Sequence, residues 1–249
     1  MTPAKSTAYV AVFAATIAAL DSVPIIPVLY SGVWDSWLFL LSPLVGVLLG
    51  PHGGAVAVGI GTLVGHLVYF RDPSELVFMV GAPVGAAVSG LVYLERWRPA
   101  LMLYSALLLT YSVTPVSWAL PLWGVWDVLL GYGLLLILSV RSRLRWRLRE
   151  EHGATNLGLL FSTVIGLESD TLTRISILIS CGTYQIFYGL GTEDLRLIWM
   201  AAALVSPLNL LMAVAVVVTL GRTLIRHVGY TLSPSAGMDD SSEPQQGCS

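Results

Sequence analysis

Glu168, Asp170 and Arg174 are the side chains of this sequence best placed to do chemistry, because all three fall inside one hydrophobic segment. A charge at membrane depth is costly, so each such residue marks either an internal ion pair or a contact to a bound substrate, ion or proton. Asp170 and Arg174 are four positions apart, hence on one helix face and able to pair. On the first reading that pair fixes helix packing. On the second, Glu168 or Asp170 touches the ligand and Arg174 is the counter-charge or an anion contact. His66 lies four residues after Thr62 and beside the Gly61/Gly65 pair, as a hydrogen-bonded packing residue or a ligand. Asp21 ends the first hydrophobic run just before Pro24 and Pro27, where it can cap the helix, meet water or touch substrate.

Aromatic residues supply a second candidate surface. Tyr30, Trp34 and Trp37 flank Asp35, Trp118, Trp123 and Trp126 precede Asp127, and Tyr184 and Tyr188 flank Gln185. Such groups form either the aromatic belt of a membrane interface or rings that stack on a small heterocycle, with the polar residues as hydrogen-bonding partners. The expected substrate-binding set is therefore Trp34, Asp35, His66, Trp126, Asp127, Glu168, Asp170, Arg174, Tyr184 and Tyr188. No Gly-x-Ser-x-Gly, His-Glu-x-x-His or phosphate-binding loop is present, so no catalytic residue, metal or cofactor is expected. The spacing of Glu168, Asp170 and His66 is not diagnostic of a metal or hydrolytic site, though a membrane enzyme built on them remains an alternative.

The elements that position these groups are written in the composition. Charged residues make up 11% of the chain and hydrophobic ones 55%, with a mean hydropathy of +0.77. A soluble domain carries roughly 25% charged residues, so an apolar solvent must cover much of the surface. The fold expected is an all-α, polytopic membrane bundle of six to eight spanning helices, in contact with lipid. Eight segments, at about 8–28, 36–50, 54–70, 77–94, 100–117, 124–140, 155–188 and 197–222, are cut by breakers such as Gly50-Pro51-His52-Gly53-Gly54 and Asp72-Pro73-Ser74. Segment 155–188 is long for one crossing, and reads as one long helix, a broken one or two short ones.

Arg141, Arg143, Arg145, Arg147 and Arg149 fall in one connection, which the positive-inside rule places in the cytoplasm as a lipid-touching anchor or a partner surface. Counting outward from it with eight crossings puts both termini inside. The first segment reads as a retained helix, not a cleaved signal. Residues 1–229 form the membrane domain, and 230–249, rich in Ser, Pro, Asp, Glu, Gln and Gly, a disordered cytoplasmic tail. Cys181 and Cys248 supply no disulfide framework, and no basic tract with interleaved aromatics supports nucleic acid binding.

Ala11, Ala15 and Ala19 recur every four residues in the first helix, as do Ala14 and Ala18, leaving a smooth face for a close neighbour. Comparable seams occur at Gly46/Gly50, Gly61/Gly65 and Gly81/Gly85/Ser89. After the alanine-seamed helix come Asp21-Ser22-Val23-Pro24-Ile25-Ile26-Pro27, a short loop with Tyr30 and Trp34, and Leu44-Val45-Gly46-Val47-Leu48-Leu49-Gly50-Pro51-His52-Gly53-Gly54. This order resembles the substrate-binding S components of energy-coupling factor (ECF) transporters, most closely over residues 8–94. Ser206-Pro207-Leu208-Asn209 is similar to the opening of that family's last helix.

The resemblance implies capture of a vitamin-like small molecule or trace nutrient, passed inward on a transmembrane scaffold subunit that carries two ATPase subunits. It assigns Ala11, Ala14, Ala15, Ala18 and Ala19 to scaffold docking, and the loop after the first helix to substrate. The chain departs from the family in having about eight segments where six are typical. The alternative to an S component is a stand-alone secondary transporter or channel, dependent on Asp170 or Glu168.

Overall fold

The computed structural model describes residues 3–23, 36–69, 73–142 and 156–228. Trp34, Asp35, the arginine-rich connection beyond Ser142 and the tail lie outside that range, as does the turn at Asp72. Among the described residues the chain is helical, with no β-strand: α1 Pro3–Asp21, α2 Ser42–Val68, α3 Gly81–Tyr93, α4 Trp97–Val113, α5 Pro115–Ala119, α6 Trp126–Ser142, α7 Asn156–Ile175, α8 Thr183–Ile186 and α9 Thr192–Val228. Tighter 3-10 segments at Trp37–Leu40, Pro73–Val80 and Leu122–Val125 lead into α2, α3 and α6.

Among the described residues four stretches are long and apolar enough to cross a membrane: Ser42–Val68, Glu75–Tyr93, Leu122–Val140 and Thr192–His227. Helix α9 shows what solvent it expects, since Leu204, Leu208 and Leu211 project outward from its middle. A soluble protein does not expose such a run.

Local chemistry explains most boundaries and corrects several. Pro43 opens α2 and Pro115 opens α5, where a missing N–H leaves no helical bond unmade. The Gly50–Gly54 stretch was expected to form a loop between two helices. The break is there, as a sharp turn: only Gly50 leaves helical geometry, at φ 74°, and Pro51 starts a second helix directly. A Cβ at Gly54 would strike Gly46, so the two halves of α2 fold back on one another. Glycine is needed there because an L side chain rarely adopts positive φ. The long segment 155–188 is a single helix through α7, loosened into a π turn at Ser176–Ser180 and ended by Gly182 at φ 67°, with α8 as a short addition. Helix α9 places Glu193 and Asp194 in its first turn and Arg226 and His227 in its last, each opposing the helix dipole.

Glycine seams set the topology. A Cβ at Gly61 would strike Ala14 and Ile17, and one at Gly65 would strike Ala18 and Asp21, so α1 runs parallel to the second half of α2. Gly81 abuts Asp170 and Arg174, while Gly85 and Ser89 abut Gly166, so α3 and α7 run antiparallel. The end of α1, the end of α2, the start of α3 and the Arg174 end of α7 therefore gather at one end of the bundle. Among the described residues the two largest of four buried clusters fill most of the interior: Ile17, Val45, Ala57, Val58, Ala82 and Ala86 join α1, α2 and α3. Tyr104, Leu135, Ile165, Leu172 and Trp199 join α4, α6, α7 and α9.

Candidate functional site

Helix α7 carries the polar residues because its charged face never meets lipid: α3, α9 and α6 pack around it. Glu168 is 1% exposed, and Ser169, Asp170 and Thr173 are buried as well. The hydroxyls of Ser169 and Thr173 donate to the carbonyls four residues back, at 2.7 Å each, and so place no demand on their neighbours. The Arg174 guanidinium donates twice to Asp170, from Nε to Oδ1 at 2.5 Å and from Nη2 to Oδ2 at 3.2 Å. The two are neutralised as a bidentate pair. Gly81 and Gly85 of α3 make room for them, since a Cβ at either position would collide with Asp170.

Glu168 differs from its neighbours. Its stem lies against Gly131 of α6 beside the Tyr104 hydroxyl, but that hydroxyl donates to the Val128 carbonyl at 2.7 Å. Oε2 of Glu168 is buried without a hydrogen-bond partner. The carboxylates of Asp127 and Asp170 are the charges that act on it most, and both are of its own sign.

One cavity of about 50 Å³ opens beside this group, lined by residues of the Trp37–Leu40 turn, α7 and α9. Its polar lining is Ser36, Glu168, Asp170, Thr171, Arg174, Ser206 and Asn209. Leu38, Phe39, Leu167 and Leu210 supply the apolar remainder. Three of the expected substrate residues are thus brought together, and they are the three singled out for being charged inside an apolar segment.

The other expected residues are placed elsewhere. His66 is not at the cavity but joins α2 to α1, its Nδ1 lying 2.8 Å from Asp21 Oδ2 and 3.0 Å from the Thr62 carbonyl. Asp21, expected to cap its helix or meet water, is completely buried. Asp127 accepts from the Val128 backbone N–H at 2.9 Å at the start of α6, and Trp126 donates to the Ala203 carbonyl of α9 at 3.2 Å. Tyr184 is buried in the larger core, and Tyr188 packs on Phe78 with ring centres 6.4 Å apart. None of these rings lines the cavity, so they are not a cage around it. Trp34 and Asp35 lie outside the described residues.

Sequence reasoning missed Glu75, which is 2% exposed with Oε2 unpartnered, in the 3-10 segment leading into α3. Arg174 and Asp21 act on it across the bundle end. Its signal was faint: one carboxylate straight after Asp72-Pro73-Ser74 reads as part of a turn. Ser206 and Asn209 had a clearer signal, as polar residues flanking Pro207 in a long apolar helix.

The architecture and site define a class, a helical membrane bundle with a small, charged, half-open cavity against an acidic central helix. Comparison with models of known families, with characterised proteins and with solved structures returns no match.

Proposed function

We propose that the chain is the substrate-capturing membrane subunit of an ECF-type transporter, taking up a vitamin-like small molecule or trace nutrient with a scaffold subunit and two ATPase subunits. The observation that carries this reading is the division of labour on α1. Ala14 is buried and Ala18 half-buried against α2, whereas Ala11, Ala15 and Ala19 remain exposed as one smooth stripe. Small side chains in lipid permit a close helix neighbour, and α1 keeps this stripe after its own packing is complete. With an even number of crossings in the cell membrane and both termini cytoplasmic, the Asp21 end of α1 and the cavity face outward, toward incoming substrate.

Ligand pockets for molecules of vitamin size measure roughly 300–1,000 Å³, whereas the cavity measures about 50 Å³. Capture of such a ligand therefore requires the elements around Ser36, α7 and α9 to part. The small size also favours a second reading, an ion-coupled secondary transporter depending on Glu168. Native mass spectrometry of gently purified protein separates the two. A retained organic ligand with co-purifying scaffold and ATPase subunits supports the first reading. A partnerless protein that accumulates solute in liposomes without ATP overturns it in favour of the second.

A further inference from the structure

The charges around the cavity do not balance. Asp170 and Arg174 cancel through their two hydrogen bonds. That leaves Glu168, almost wholly buried and with Oε2 unpartnered, as the residual charge in the lining. An ionised carboxylate deprived of water and counter-ion is strongly disfavoured, so something positive must accompany it or a proton must neutralise it. A proton alone would need no space. Here there is space of about 50 Å³, with Ser36, Thr171, Ser206 and Asn209 adding neutral oxygen donors to the lining. That volume has room for an ion with a few waters, since roughly 10–15 Å³ of such space admits one water.

We propose that this cavity binds a single alkali-metal cation, with Glu168 as the charged ligand and the hydroxyl and amide oxygens of Ser36, Thr171, Ser206 and Asn209 completing its shell. Hard oxygen donors select hard cations and offer nothing to thiophilic metals. A divalent ion is a poor fit, because one carboxylate balances only one charge and Asp170 is already held by Arg174. No group of three or more His, Cys, Asp or Glu poised for a metal occurs among the described residues. The ion would join the Ser36 turn, α7 and α9, the elements that must part to admit a larger ligand. The inference stands on the cavity alone, whichever subunits or gradient drive transport.

The test is thermal unfolding of the purified full-length chain in lipid nanodiscs, at constant pH and at ionic strength held with N-methylglucamine chloride. NaCl, KCl and LiCl are each exchanged in. The expected result is a saturable rise in midpoint with one of these salts, since a ligand that binds only the folded state stabilises it by mass action. Glu168→Gln should abolish the dependence and, in cation-free buffer, should melt above the wild-type protein. Asn209→Ala should move the half-saturating concentration about tenfold higher, as loss of one polar ligand contact worth about 1.4 kcal/mol does. If Glu168→Gln fails to fold, Asn209→Ala decides. A wild-type midpoint indifferent to all three salts, or stabilised only by acid, overturns the proposal. So does an unchanged salt response in the variants.

Discussion

The two sides of the bundle are held together by different means. On the α1, α2, α3 and α7 side, backbones meet: Gly46 abuts the Ala86 carbonyl, Gly61 abuts Ala14, and Gly166 abuts Ser89. On the α4, α6 and α9 side, rings fill the gaps. Tyr104 stacks on Tyr132 at 5.6 Å and Tyr111 on Trp199 at 6.0 Å between ring centres. In lipid there is little hydrophobic drive between helices, so association rests on close packing and on polar contacts between segments. The first side uses both at once, because Gly65, Gly81 and Gly85 of the same seams lie beside Asp21, Asp170 and Arg174. The second side relies mainly on bulk, with isolated hydrogen bonds from single hydroxyl or indole groups and one glycine, Gly131, that makes room for Glu168. The difference teaches that glycine seams here do more than pack: they admit charged side chains between helices and shield them from lipid.

That contrast can be broken most sharply at Arg174. Arg174→Ala leaves Asp170 buried without its counter-charge and should destabilise the protein by about 3–5 kcal/mol. Pairing it with Asp170→Asn should restore much of the loss in a reversible unfolding assay, and a double variant no better than the single one would count against a neutralised pair. Gly166→Val comes next, since its Cβ would collide with the Ser89 side chain and the Gly85 carbonyl. Overpacking of this kind costs about 1–3 kcal/mol, measurable as a lowered denaturation midpoint. On the ring side the penalties should be smaller. Tyr104→Phe keeps the stack and loses one hydrogen bond to Val128, a change of about 1 kcal/mol. A loss as large as that at Gly166 would mean that the hydroxyl also serves Glu168. The smallest effect on stability is expected at the exposed alanines. Ala11→Leu with Ala15→Leu should hardly move the midpoint, yet under the proposed function should abolish co-purification of a scaffold subunit.

Much of the helical plan was legible in the sequence, because hydropathy reports directly on contact with lipid. The start of α4 at Trp97 lies close to the expected 100, but the expected segment 100–117 ran through the break before Pro115, and 155–188 left open how the π turn and Gly182 end that stretch. The break expected at Gly50–Gly54 is where the chain turns back, narrowed to one glycine at positive φ between two helices. Within the site, Asp170–Arg174 was readable from a spacing of four, since both partners lie on one helix. The Asp21–His66 pair was not, since 45 residues separate them and only the Gly65 crossing makes them neighbours. The aromatic groups could not be sorted in the sequence, because an interfacial ring, a core ring and a ligand-stacking ring look alike there.

By itself, then, the sequence determined that this chain is a helical membrane protein, that α7 carries charges no lipid would accept, and that α1 has two small-residue faces. Each is a property of one segment and its solvent. Only the tertiary structure decided which alanine face is consumed by α2 and which is left over, that Asp21 is sealed inside, and that Glu168 alone in the cavity lacks a counter-charge. Those outcomes depend on which helices cross and at what height. The Coulomb and hydrogen-bonding terms that govern a buried charge act over a few ångströms in space, whatever the separation along the chain.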